Sequence, residues 1–359
     1  MPFDPTERLS IAPGVSVTRL GLGTAEIGGL YRAVSDDAAA EVIDHAWSIG
    51  IRYFDTAPLY GYGRAEGRLG SRLGGHPRAE FALSTKVGRL IVPIADLAPD
   101  ADLDHQAADG VDDAFYADTR PVRPVFDYSA DGVRRSVEES LGRLGLDRID
   151  ILYIHDPDDH WEAAIGGAYP ALHRLREQGV VGAIGAGMNQ AEMLARFARE
   201  GDFDVFLVSG RYTLLDQVAL HDLMALCVEK GISVIAGGVM NSGILADPRP
   251  GARFNYLPAP AEVVERARRI RAVCDQYNIP IRAAAIQFPL AHPAVAAVVA
   301  GVRTIEHLDD YPRFMAMTIP AGLWSDLRAE GIVDPEAPVP AAARHDRGDG
   351  NREGNGLSR

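Results

Sequence analysis

Apolar positions along the chain follow two alternating spacings. Short apolar runs, often closed by Gly or a polar residue, at 17–23, 51–56, 81–87, 149–155, 181–186, 205–209, 233–236 and 294–301, read as strands. Runs such as "DILYIHD" and "AVAAVVAGV" have no polar face, as parallel strands covered on both sides require. Between them, apolar residues recur at helical spacing. One such segment, 36–49, opens at Ser35 and stops at Gly50. Another, 129–144, carries Val133, Val137, Leu141 and Leu144 on one face and ends at Gly145. Four more run over 168–178, 190–199, 216–230 and 261–277, the first three each closed by a glycine soon after. Eight strands with helices between them predict a closed (β/α)8 barrel, the TIM barrel. A doubly wound sheet would want a glycine-rich fingerprint after its first strand. Gly21-Leu22-Gly23-Thr24 lacks both the third glycine and the helix that should follow at once.

Two segments break the rhythm. Residues 89–128, rich in Asp, Pro and Ala, form an insertion of ~40 residues, longer than any ordinary connection. Following the third strand, it falls on the face where barrel enzymes keep their sites, as a substrate lid or as a solvated excursion. Residues 335–359 are Pro, Ala, Gly and charge, which predicts a disordered tail beyond a single domain at 1–334.

Charge narrows the function. The 359 residues hold 36 basic and 50 acidic side chains, a net charge of −14, which argues against binding a nucleic-acid backbone. Two cysteines, Cys227 and Cys274, suit a reducing compartment. The first 30 residues lack the basic start and apolar run of a signal peptide, and no stretch is apolar enough to span a membrane. The expectation is a cytoplasmic protein acting on a small molecule, with its oligomeric state left open.

Catalytic candidates in a barrel lie where strands end. Asp55 closes the second strand in "YFDTAPLYG", and Tyr60 follows on the loop. Lys86 closes the third strand and His155 the fourth. A phenol titrates near pH ~10, and an adjacent ammonium would lower that value. Tyr60 would then serve as a general acid/base, with Lys86 as the ammonium and Asp55 holding it. A neutral His155 would orient the substrate oxygen. The set has no strong nucleophile and no metal cage, which suits proton transfer coupled to hydride transfer with a nicotinamide cofactor. Two acidic clusters have the composition of a metal site without its spacing. "HDPDDH" at 155–160 is six adjacent loop residues, which do not converge on an ion, and 100–110 has His105 where a calcium loop needs glycine. No metal is expected.

These residues sit in motifs that resemble the aldo-keto reductase superfamily. The run from Asp55 to Gly61, Ser84-Thr-Lys86-Val87 and "RRSVEESLGRLGLDRIDILYIHDPD" at 134–158 carry the likeness, which extends over about residues 15 to 330. It implies that Asp55, Tyr60, Lys86 and His155 are a catalytic tetrad. "FDYSADGVRRSVEESL", "AIGAGMNQ", "GRYTLLDQ" and "MNSGIL" are similar to the branch that oxidises aldoses at the anomeric hydroxyl, the D-threo-aldose 1-dehydrogenase or L-fucose dehydrogenase type, which includes pyridoxal 4-dehydrogenase-like members. The resemblance implies an NAD or NADP site along Gly23, Thr24, Asp55, Asn189, Gly237, Asn241, Ser242, Gly301, Arg303 and His307. Gly187-Met188 replaces the family's Ser-Asn pair, so Asn189 substitutes for it. The family's stacking aromatic is absent from "AGGVMNSG". Its cations for the NADP 2′-phosphate fall near Gly301 and His307, which favours NAD, while Arg303 keeps NADP open. The alternatives are a general NADPH-dependent aldehyde or ketone reductase, a pyridoxal 4-dehydrogenase, and a nicotinamide-binding sensor with little turnover.

Overall fold

The computed structural model describes residues 2–104, 116 and 121–341. Strands β1 (Arg8–Ala12) and β2 (Val15–Thr18) form an antiparallel hairpin. Strands β3 (Leu20–Gly23), β4 (Tyr53–Asp55) and β5 (Ala82–Val87) begin the barrel. After them β6 (Arg89–Pro93) and β7 (Val122–Phe126) pair antiparallel outside it. The barrel resumes with β8 (Ile151–His155), β9 (Ala183–Met188), β10 (Val205–Ser209) and β11 (Ser233–Gly237). A two-residue-strand hairpin, β12 (Arg253–Phe254) and β13 (Leu257–Pro258), intervenes before β14 (Val295–Gly301) closes the barrel on β3. The eight barrel strands are all parallel.

The expected first strand, 17–23, is two strands. The chain breaks at Arg19 because Thr18 is spent on its neighbours: Thr18 Oγ1 donates to Leu20 O at 2.7 Å and accepts from Arg52 N at 3.0 Å. The β1–β2 hairpin seals the N-terminal end of the barrel. Its Ile11, Val15 and Val17 pack with Tyr53, Ile151 and Ile235 in a core inside the strands. A larger core fills the space between strands and helices, including Val42, Leu69, Val137, Leu194 and Phe288.

Helices expected from periodicity form at Asp36–Ser48, Ala130–Leu144, Tyr169–Glu177, Ala191–Glu200, Ala225–Lys230 and Ala261–Gln276. Ser35 and Ser129 cap two of them by accepting from Ala38 N and Gly132 N. The segment expected to be helical from 216 starts later, because Asp216 N donates to Thr213 Oγ1 and its carbonyl accepts from Thr213 N in a turn. Four further helices, Arg64–Leu73, Ile281–Leu290, Ile305–Met315 and Ala321–Ala329, complete the outer layer. Their sequences hide them. Arg64–Leu73 contains Gly67 and Gly70, Ile305–Met315 contains Pro312, and Ile281–Leu290 is buried on nearly every side and so has no polar stripe.

Residues 335–341, expected to begin the tail, pack against the barrel. Ala337 is fully buried and its carbonyl accepts from Arg328 Nη2 at 2.7 Å. The remainder of that segment, 342–359, and most of the insertion, at 105–115 and 117–120, lie outside the described residues. Among the described residues no helix is long and apolar enough to cross a membrane. Cys227 and Cys274 are buried free thiols.

Two helical glycines differ in what surrounds them. A Cβ at Gly70 would sit 1.8 Å from Leu144 O, whereas at Gly142 nothing lies within 4 Å. Gly70→Ala will therefore destabilise the fold by about 2 kcal/mol through overpacking, and Gly142→Ala will stabilise it by ~0.5–1 kcal/mol. Urea unfolding midpoints of both variants check this.

Candidate active site

The C-terminal mouth of the barrel holds a buried ion pair. Lys86, at the end of β5, donates from Nζ to Asp55 Oδ2 at 2.8 Å, to Oδ1 at 3.0 Å and to Thr56 O at 2.8 Å. Both side chains are almost completely buried. Asp55 is fixed from other directions as well. Ser84 Oγ donates to its Oδ1 at 2.7 Å, and Thr24 donates to its carbonyl from N and from Oγ1, each at 3.0 Å. The parallel register of β3, β4 and β5 puts these groups side by side, with Gly23 opposite Asp55 and Asp55 opposite Ser84.

Tyr60 lies against this pair. Lys86 Nζ stands 4.6 Å from the centroid of its ring, and His155 meets the ring edge-on at 5.9 Å between centroids. The structure thus brings together the four residues taken from strand ends. The expected acidification of Tyr60 by Lys86 does not occur in this arrangement. Burial pushes the phenol well above its ordinary value, and the Asp55 carboxylate pushes it further. The ammonium lies over the ring face with its donors committed to Asp55 and Thr56. His155 is neutral, since burial, helped by Arg89 and Lys86, holds its pKa well below the usual value. Among the described residues its Nδ1 has no hydrogen-bond partner.

Arg89 supports the histidine from below. The buried guanidinium donates from Nη1 to His155 O at 2.7 Å and from Nε to Asp104 Oδ2 at 2.6 Å. Tyr128 OH donates to the same carbonyl at 2.7 Å. Arg89, Asp104 and Tyr128 all come from the insertion; the sequence offers Asp104 only within the calcium-like run at 100–110 and marks no role for Tyr128. Only the position of Arg89, three residues past Lys86, marks it.

Two cavities meet over Tyr60. One, of about 610 Å³, is lined by Tyr60, Lys86, His155, Asp156, Asp158 and Arg211, among others. The second, of about 420 Å³, is lined by all ten residues to which the resemblance assigned the cofactor: Gly23, Thr24, Asp55, Asn189, Gly237, Asn241, Ser242, Gly301, Arg303 and His307. Not all of them present free side chains. Asn241 Oδ1 accepts from Thr213 Oγ1 at 2.7 Å and its Nδ2 donates to Gly210 O at 3.1 Å, so its amide is spent within the wall. Arg303 pairs with Glu26 and donates to Leu30 O at 2.7 Å. The glycine-lined wall suits a dinucleotide. A Cβ at Gly238, where φ is +59°, would lie 3.1 Å from Gly210 N and from Ser209 Oγ. Tyr256, in the β12–β13 turn, borders both cavities and hydrogen-bonds Ser209 and Asn189. It places an aromatic at the cleft from which the segment after β11 lacks one. Asn255 and Tyr256 both have positive φ, a turn that their residue types alone do not announce.

The Aldo/keto reductase family profile matches residues 19–329. The chain is 43% identical over 334 residues to a D-threo-aldose 1-dehydrogenase of Pseudomonas sp, covering 91% of this chain and 98% of that one. It is 41% identical over 337 residues to a pyridoxal 4-dehydrogenase of Microbacterium luteolum, covering 89% and 96%. Among solved structures it superposes on the holo form of the aldo-keto reductase AKR11C1 from Bacillus halodurans with a TM-score of 0.69 at 22% identity, over 95% of this chain and 99% of that one.

Removing one member of a buried ion pair strands the other charge. Asp55→Asn and Lys86→Met will each destabilise the protein by about 3 kcal/mol, and the double variant will recover a large part of the loss. A double-mutant cycle from chemical denaturation measures this coupling.

Proposed function

The chain belongs to the Aldo/keto reductase family and is an oxidoreductase of aldoses or aldehydes; from that premise we propose that it oxidises a cyclic hemiacetal, an aldose at its anomeric hydroxyl, to the lactone. One observation carries the proposal. Tyr60 borders both cavities beside Lys86 and His155, so a single phenol faces the room for a substrate and the room for a dinucleotide. Aldoses and pyridoxal, the substrates named in the two relatives, both close into cyclic hemiacetals, which explains how one such site would serve either.

In this proposal Tyr60 first loses its own proton to solvent and then, as the phenolate, takes the proton of the anomeric hydroxyl as hydride leaves the carbon that bears it. Neutral His155 hydrogen-bonds the same oxygen and fixes its angle. Lys86, held in place by Asp55, stands beside the negative charge that the Tyr60 phenolate carries before it takes that proton. When bound, an oxidised nicotinamide would supply the hydride acceptor and a positive charge to offset the burial that keeps Tyr60 protonated in the ligand-free protein. NAD is the cofactor favoured here. Arg303 is engaged by Glu26, and a carboxylate at this end of the cleft opposes a 2′-phosphate.

Initial rates with L-fucose, D-threo-aldoses and pyridoxal, each with NAD and with NADP, test the proposal by absorbance of the reduced nicotinamide. Oxidation of an aldose with NAD is expected. Fast aldehyde reduction by NADPH with no oxidation of either substrate class would overturn it, and cofactor binding without turnover would favour a sensor. Tyr60→Phe is expected to lower kcat by about 10²–10⁴-fold while the cofactor Kd, read by fluorescence quenching, holds within about threefold. Unchanged turnover in that variant would remove Tyr60 from the mechanism.

A further inference from the structure

Directly after His155 the backbone turns into the left-handed region. Asp156 has φ +38°, a conformation that L side chains other than Asn and Asp rarely adopt. The turn is locked from both sides. Asp156 N donates to Gly187 O at 3.1 Å, and Tyr128 OH donates to Asp156 O at 3.0 Å. Its effect is to send two consecutive polar side chains to one cavity, where a continuing strand would send them to opposite faces. His155 Nε2 and Asp156 Oδ2 stand 3.4 Å apart, and both residues line the 610 Å³ cavity. Strain kept beside a reaction centre is a sign of use.

Asp156 is also short of partners for a carboxylate in such a place. The nearest cation, Arg89, reaches it only at 3.9 Å and is already committed to Asp104 and His155 O. Lys86 is committed to Asp55. Around Asp156 stand Arg89 and Lys86, the carboxylates of Asp158 and Asp104, neutral His155, and the phenols of Tyr60, Tyr128 and Tyr256. Asp158 accepts from Gln190 on the same cavity wall. The wall therefore offers hydrogen-bond acceptors to a ligand that brings its own donors.

We propose that Asp156 determines substrate specificity by accepting a hydrogen bond from the hydroxyl on the carbon next to the reacting carbon, so that the site selects uncharged vicinal diols and rejects anionic sugars. This rests on the hemiacetal oxidation proposed above. The spacing of His155 Nε2 and Asp156 Oδ2 suits the two neighbouring oxygens of such a diol, one held by His155 and Tyr60 and the next by Asp156. Burial raises the Asp156 carboxyl to about 6, against the pull of Arg89. The acceptor is therefore present above pH ~6 and is lost as pH falls through that value. His155 is neutral over the same range and does not contribute a second titration there.

The test compares wild type with Asp156→Asn, which suits the left-handed backbone, and with Asp156→Gly, which relieves it and lacks the carboxylate. Substrates are each neutral aldose found active, its 2-deoxy counterpart and its uronic acid, assayed from pH 4.5 to 9. In both variants KM for the aldose is expected to rise by about tenfold to a hundredfold with kcat within about threefold. The acid limb of kcat/KM near pH 6 should vanish, and the 2-deoxy sugar should no longer be disfavoured. In wild type the 2-deoxy sugar should suffer the same rise in KM, and the uronic acid should be the poorer substrate. An unchanged KM, an acid limb that persists in both variants, or wild-type indifference to the 2-hydroxyl would overturn the assignment. Absence of any aldose oxidation by wild type would instead remove the premise.

Discussion

An ammonium and a carboxylate taken almost wholly out of water, 2.8 Å apart at the rim of the barrel, set the terms for everything around them. Desolvating two ions is costly, and such a pair survives where further hydrogen bonds complete its shell. Ser84 from β5 and the Thr56 carbonyl supply them, while Thr24 from the β3 end holds the backbone carbonyl of Asp55. Three adjacent strands are thereby joined at their C-terminal ends through polar contacts as well as through their ladders. Beneath the pair, Tyr53 OH lies 3.1 Å from Ser84 Oγ and 3.4 Å from Tyr153 OH, so a file of hydroxyls continues into the barrel interior. The polar rim and the apolar floor made by the N-terminal hairpin are opposite ends of one cylinder.

The same pair decides what the neighbouring phenol experiences. An ammonium with its donors satisfied elsewhere acts on Tyr60 through the face of the ring, while the paired carboxylate works against ionisation. The ligand-free arrangement accordingly keeps Tyr60 protonated and His155 neutral. One group is a loaded donor and the other an uncharged hydrogen-bonding partner, a division set by burial more than by any single contact.

The strands were legible because each is largely buried on both faces and several read as nearly unbroken apolar runs; all eight expected positions hold a barrel strand within a few residues. The start of 17–23 differs because apolar content does not register a break made by one threonine hydroxyl. Helices with an exposed polar stripe were visible, whereas Ile281–Leu290, buried nearly all round, carries no such stripe, and Arg64–Leu73 is masked by its glycines, of which Gly70 is there to let another helix approach. Asp55, Lys86 and His155 could be found since strand ends in a barrel converge by construction. Arg89, Asp156 and Tyr256 could not. Their positions depend on a hairpin outside the barrel, a left-handed residue and a two-residue turn, none of which leaves a periodic trace. The direction of the Tyr60 shift was likewise beyond reach, because a motif does not reveal how deeply a ring is buried.

The Arg89 clamp separates the insertion into a root and an outer part. At the root, one guanidinium joins the insertion's Asp104 to the carbonyl of His155, and Tyr128 joins its far end to that same atom. Relatives with longer, shorter or recomposed insertions would inherit the histidine in an unaltered pose so long as those anchors persist, and a protein engineer exchanging the segment between Asp104 and Val122 would leave that joint in place.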